Sequence, residues 1–318
     1  MRRTLFAAAW LTAAFTAHAT PMRATANFTG PLVTPNPSNL PAGMFNVEPY
    51  LVYQESRAYY DHQGKRHRSA HAAEQWQWLL PMTAGLTDRL QAQLTLGAVR
   101  AHAGRDSSDG LRSADTSLNF QYLVQKSADD GQRPAIAVNY AHRFPTGRHD
   151  RLGSNLLNGT SQGANLNTLA VLAQQVIWLN NGRPLRWRAR LQYGQAASRV
   201  LVDGASVHGT EVGFRGFADI GRQIGASAAL EYSISERWVA VMEATYEHRA
   251  GGRVWGTMPN TSTPIDRRTH AGSLYTLAPA VEYHLNSRFG FIGGVQFSVA
   301  GRNSAAFAAP QLAFNMVL

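Results

Sequence analysis

Cysteine is absent from the chain. That rules out disulfides, thiol catalysis and cysteine-ligated metal. After the first twenty residues there is no long uncharged apolar run, so no segment is predicted to cross a bilayer as a helix. No convincing spacing of a Ser-His-Asp triad appears either. Acidic side chains are scarce: 20 Asp and Glu stand against 30 Lys and Arg, a formal charge of +10. A basic balance often means nucleic acid. In an exported chain it points instead to phosphate-bearing lipid or an anionic solute.

Export is what the first residues present. The stretch MRRTLFAAAWLTAAFTAHAT has a charged start at Arg2 and Arg3, a short apolar core from Leu5 to Phe15, and the small-x-small site Ala17-His18-Ala19. These are the three parts of a secretory signal peptide. The apolar core falls far short of the roughly 20 residues of a membrane span. Cleavage after Ala19 removes Arg2 and Arg3, taking the charge from +10 to +8.

Beyond that, one pattern recurs. Residues 185–194 read LRWRARLQYG: Leu185, Trp187, Ala189, Leu191 and Tyr193 alternate with Arg186, Arg188, Arg190 and Gln192. On a strand this gives one apolar and one cationic face. A sandwich strand with water on its polar side has that pattern. So does a membrane barrel with lipid outside and a wet lumen. Stretches of the same period fall at 44–54, 74–84, 90–99, 115–125, 134–144, 167–179, 185–194, 225–234, 238–248, 275–285, 289–300 and 311–318. The breaks decide between the two folds. Short ones (85–89, 126–133, 180–184, 235–237, 286–288) alternate with long ones (55–73, 100–114, 145–166, 195–224, 249–274), and 301–310 is shorter than its siblings.

Tight turns at one end and long loops at the other are the signature of an outer-membrane barrel. The predicted fold is therefore all-β, a single antiparallel up-and-down transmembrane β-barrel of about 12 strands. An even strand count puts both termini on the periplasmic side. Residues 1–19 are read as the signal peptide and 44–318 as the barrel. Residues 20–43, rich in Thr, Pro and Asn, form an extended lead-in that either hangs in the periplasm or folds in as a plug. Trp76, Trp78, Trp178, Trp238, Tyr275 and Phe289 lie near strand ends, as interfacial girdles do.

The polar faces predict a lumen lined by Arg186, Arg188, Arg190, Gln192, Glu231, Glu243, Asp115, Asn119, Gln121, Asn139 and Arg143. Stacked arginines attract anions in pores. They also fill narrow lumens by pairing with carboxylates, and burial of unpaired like charge favours that reading. Glu231, Glu243, Glu247 and Asp115 are the candidate partners.

Three patches carry a family resemblance: PMTAGLTDRLQAQL (81–94), SADTSLNFQYLVQ (113–125) and RPAIAVNYAHRFPTGRHD (133–150). In this order and spacing they resemble the outer-membrane protein family associated with the meta-cleavage pathway of phenol degradation. Ala84 stands where that family often has Tyr, and Ala114 where it often has Gly. The resemblance implies an outer-membrane transporter for aromatic or other hydrophobic compounds, with no catalytic residue.

Other constellations point elsewhere. His62, His67 and His71, among Lys65, Arg66 and Arg68, lack regular metal-ligand spacing and read as a solvated outer loop near lipopolysaccharide phosphate. Asp106, Asp109 and His102 form an acidic loop that is weak as a general-base site. Ser154 and Asn155, with His142 on a nearby strand, represent the alternative of an outer-membrane hydrolase with a rim active site. A closed structural or binding barrel is the other alternative. The expectation is a monomeric, non-enzymatic barrel in the bacterial outer membrane that passes a small solute. It needs no cofactor and no nucleic acid, and its partners are membrane lipid, lipopolysaccharide and the barrel-assembly machinery.

Overall fold

Strands with one apolar and one polar face cannot stand alone, because an open sheet leaves unpaired edges. Closing the sheet on itself removes them. A computed structural model of the chain describes residues 23–128, 131–259 and 264–318. The export signal at 1–19, part of the turn at 126–133 and part of the long break at 249–274 lie outside the described residues.

Twelve antiparallel strands form the barrel: β1 Tyr50–Tyr60, β2 Arg66–Thr87, β3 Leu90–Ala103, β4 Thr116–Gln125, β5 Ala135–Phe144, β6 Leu166–Trp178, β7 Pro184–Ala196, β8 Gln223–Ser233, β9 Trp238–Arg249, β10 Gly272–His284, β11 Phe289–Arg302 and β12 Ser304–Val317. Each pairs with the next in the chain, and β12 closes on β1 from Ser304–Tyr60 to Ala313–Tyr50. Below β1, Pro49 cannot donate to a ladder and interrupts the strand. The preceding piece, Phe45–Val47, bridges β2 and the end of β12.

The apolar side faces out. Leu191 is 67 % exposed and Leu230 52 %, whereas the inward Ala229 is 2 % exposed. A soluble fold inverts that order, and a lipid-facing barrel requires it. Outward rings meet near both ends: Trp238 with Tyr283 at 4.6 Å and Phe291 with Phe314 at 4.5 Å at the tight-turn end, and Tyr246 with Tyr275 at 4.7 Å toward the other. Trp178 departs from the girdle expected of it. It points inward at the tight-turn end, with the Arg23 guanidinium 4.4 Å from its ring.

Two of the expected long loops are strands. Residues 55–73 continue β1 and β2 outward to a hairpin around Gly64, and 301–310 belongs to β11 and β12, which reverse at Asn303 with φ 46°. Outside the apolar zone both faces of a strand meet water, so the alternation that marks strands in the sequence fades while pairing continues. The long connections 195–224 and 249–274 hold a four-stranded sheet of Val200–Asp203, Arg215–Asp219, Arg253–Thr257 and Ile265–Arg268. It has its own small core around Val202, Phe214, Ala218 and Val254.

Residues 23–43 run inside the barrel as an arch. Ala24 N donates to Gly182 O in the β6–β7 turn, and the segment rises to Thr34, which is 1 % exposed. It then descends past Gln174, Gln121 and Gln91 to leave beside Gly85. A Cβ on Gly85 would lie 2.1 Å from Pro41 O, so the close approach there requires glycine. Leu32, Phe28 and Val33 pack on the inward Val239, Val241, Ala280, Ile292 and Ala313. The main core is thus a contact between arch and wall.

Candidate functional site

An extended segment inside a barrel has no strand beside it to take its backbone N–H groups. Here two buried glutamates do so, Glu243 of β9 and Glu282 of β10, while Glu231 of β8 lies beside them. Glu231, Glu243 and Glu282 are each 0 % exposed. Glu243 accepts from Thr34 N at 2.7 Å and from Val33 N at 3.1 Å. Glu282 accepts from Thr29 N at 2.7 Å and Gly30 N at 3.2 Å, and its Oε2 lies 3.1 Å from His284 Nε2.

Glu231 serves the wall. Its register partner across the ladder is Arg186, which forks onto it: Arg186 Nε donates to Oε2 at 2.7 Å while Nη2 donates to Oε1. Two parallel charge-assisted bonds suit a buried pair. Arg186 also lies 4.2 Å from the Phe28 ring. Arg188 Nε is 3.1 Å from Glu231 Oε2, and its Nη1 reaches Thr34 O at 3.5 Å. Gly30, at φ 126°, passes so close that a Cβ would stand 3.0 Å from the Arg188 guanidinium.

Strands β6 and β4 hold the arch through neutral amides. Gln174 Nε2 donates to Ser38 Oγ at 2.7 Å, and Gln121 Nε2 donates to Asn36 O and Asn39 Oδ1 at 3.0 Å. Beside the arch remains a cavity of about 950 Å³. It extends from Asn286, Ser287 and Arg288 in the β10–β11 turn to Arg143 and Arg249 at the outer ends of β5 and β9.

Of the residues expected to line the lumen, Asn119, Gln121, Asn139, Arg143, Arg186, Arg188, Arg190 and Gln192 border this cavity. Glu231 and Glu243 face inward but are sealed beneath the arch and Arg186. Asp115 does not border this cavity. It precedes β4 at the outer rim, where it accepts from Gly147 N at 3.1 Å, because the loop after β5 folds back over that edge. The arginine row is split: Arg186 and Arg188 share Glu231, whereas Arg190 has no ion pair among the described residues.

Glu282, His284, Gln223 and Arg249 were not anticipated. Ala278, Ala280, Glu282 and His284 occupy alternate positions opposite the apolar Tyr275, Val281 and Leu285, a signal of period two that was available in the sequence. Arg249 fell just beyond the predicted end of its strand.

The other candidates disperse. His67 Nε2 lies 2.6 Å from Asp61 Oδ2 within a hairpin, and His62 and His71 are exposed. No three metal-ligating side chains gather among the described residues. Asp109 is an organising carboxylate of the outer loops: the Asn158 and Asn155 amides and Arg112 bind it and hold its pKa below the ordinary value. Asn155 caps the 3-10 turn Leu156–Asn158. His142 bonds Asn167 at 2.7 Å and Asn165 at 3.2 Å, and among the described residues no Ser154–His142 hydrogen bond forms.

No family model matches the chain, and no curated protein does. Solved structures do. The COG4313 outer membrane channel from Pseudomonas putida F1 superposes with a TM-score of 0.64 at 14 % identity, covering 90 % of this chain and 100 % of that one. What the two share is the fold, a closed antiparallel β-barrel. A NanC porin aligns at 0.46 and 9 % identity, over 85 % of this chain and 98 % of its own. A TodX deltaS2S3 mutant monoaromatic hydrocarbon channel aligns at 0.45 and 11 %, over 93 % and 97 %.

Proposed function

We propose that this chain is a monomeric outer-membrane channel for small solutes, with residues 1–19 as its export signal and the 23–43 arch as an internal plug that narrows the bore. The observation that carries this is the polar cavity of about 950 Å³, running beside the arch from Arg143 and Arg249 to the turn at 286–288. A barrel with an apolar exterior has lipid as its surrounding solvent. A wet path along its axis then gives it a role as a conduit. Lipopolysaccharide, whose phosphates suit the cationic outer loops, and the barrel-assembly machinery are its expected partners. The resemblance to the phenol meta-pathway family supports aromatic or hydrophobic compounds as the solutes. The four-point grip of Glu243 and Glu282 on the arch favours a fixed constriction over a tail free to leave.

The test is conductance of refolded protein in a planar bilayer, with liposome swelling in uncharged aromatic alcohols. Discrete openings and swelling are expected. A barrel with heat-modifiable mobility on gels that neither conducts nor swells liposomes is a closed structural barrel.

A further inference from the structure

We infer that Arg143, Arg190 and Arg249 form an anion-binding constriction in the outer half of the cavity, suited to a small organic carboxylate. This rests on the passage reading above and names its solute class. The three side chains come from β5, β7 and β9 and border one cavity. None has a carboxylate within ion-pair distance among the described residues, unlike Arg186 and Arg188 below them.

The carboxylates acting on Arg190 from further off are Glu247 and Glu243, and on Arg249 Glu247 alone. Glu243 is committed to the backbone of the arch. Arg143 and Arg249 lie within electrostatic range of each other. Three guanidiniums against one uncommitted carboxylate leave this zone positive. Such a cluster inside a barrel is costly without a counter-charge.

The hydrogen bonds point the same way. Arg190 Nε and Gln223 Nε2 are buried donors with no acceptor among the described residues. Both belong to side chains on the cavity wall, and a carboxylate offers acceptors for such donors. Arg249 is held in place by Gln162 of the outer loop, whose amide oxygen accepts from Nη1 at 2.9 Å and Nη2 at 3.1 Å. Beside Arg190 the cavity lining mixes Ala141, Ala170 and Leu172 with Asn139, Thr168 and Gln192. A carboxylate head at the arginines, with a small organic body in the cavity of about 950 Å³ beside them, is met by benzoate.

The probes are benzoate and its uncharged analogue benzyl alcohol, in two measurements. In bilayers with a salt gradient, wild type is expected to favour anions. R143Q/R190Q/R249Q should lower the anion-to-cation permeability ratio severalfold, and E247Q should raise it. In micelles, calorimetry should detect benzoate but not benzyl alcohol, with benzoate binding lost in R190Q. Cation preference in wild type, or a ratio unmoved by E247Q in protein with normal heat-modifiable mobility, overturns the proposal. Equal binding of the two probes also overturns it. If wild type is silent in bilayers but binds benzoate through Arg190, the site stands and the passage reading falls.

Discussion

Two halves of one lumen, joined by a single strand, treat the same residue type in opposite ways. Arg186 and Arg188 lie in the inner half among Glu231, Glu243 and Glu282, roofed by the arch and 7 % and 2 % exposed. Arg190, one step along the same face, opens into the outer half, where Glu247 is the uncommitted acid. The inner half is a charge-compensated packing layer beside the cavity. The outer half keeps its arginines available. A row of arginines in a barrel is therefore not one functional unit. Each member's role is decided by whether a carboxylate on the next strand reaches it.

That contrast can be broken most forcefully at Glu231. Glu231→Ala strands two buried guanidiniums and should cost about 3–5 kcal/mol in denaturant unfolding from micelles. Arg190→Gln should cost a small fraction of that, since no carboxylate loses its partner. Equal losses would erase the distinction between the halves. Deleting residues 23–40 should raise single-channel conductance severalfold, because the arch occupies the inner half, while anion preference, set in the outer half, persists. An unchanged conductance would mean that the arch does not narrow the path.

Gentler changes sharpen the picture. Glu243→Gln and Glu282→Gln keep an acceptor oxygen but weaken charge-assisted bonds to the arch, with an expected cost of about 1–3 kcal/mol each. Proteolysis near residue 34 should accelerate in step.

The smallest effect is expected outside both halves, in the solvated hairpin. The Asp61 carboxyl is held down at about 2, from 3.8, first by its hydrogen bond with His67 and then by the Lys65 and Gln63 amides. A folded-state value below the ordinary one stabilises fully above pH 3.8, and that contribution is lost as pH falls toward 2. Amide exchange at Gln63 and Lys65 should rise over that window without change in conductance, and Asp61→Asn should abolish the dependence.

Much of the fold was legible because its signal is local. Alternation in LRWRARLQYG places Leu191 outside and Arg186 inside whatever the neighbouring strand contains. Strand ends were less legible. In 66–73 and, Phe307 apart, in 304–310 polar or small residues fill both faces, and only pairing across the ladder marks them as strand. Trp178 was misread because an aromatic near a strand end looks the same whether it faces lipid or, as here, a cation inside the mouth. Asp115 was less legible because it stands just before β4, where the loop after β5 and not the strand's alternation sets its contact.

By itself the sequence determined a twelve-stranded lipid-facing barrel with tight turns at one end, since period, turn chemistry and strand length are properties of short stretches. Tertiary structure alone decided that residues 23–43 arch through the lumen, that Arg186 and Arg188 share one glutamate, and that Arg143, Arg190 and Arg249 meet around one cavity. Those outcomes depend on register and on contacts as far apart as Thr29 and Glu282, 253 residues along the chain. Closing the ring brings such residues together, and no local pattern encodes which of them will meet.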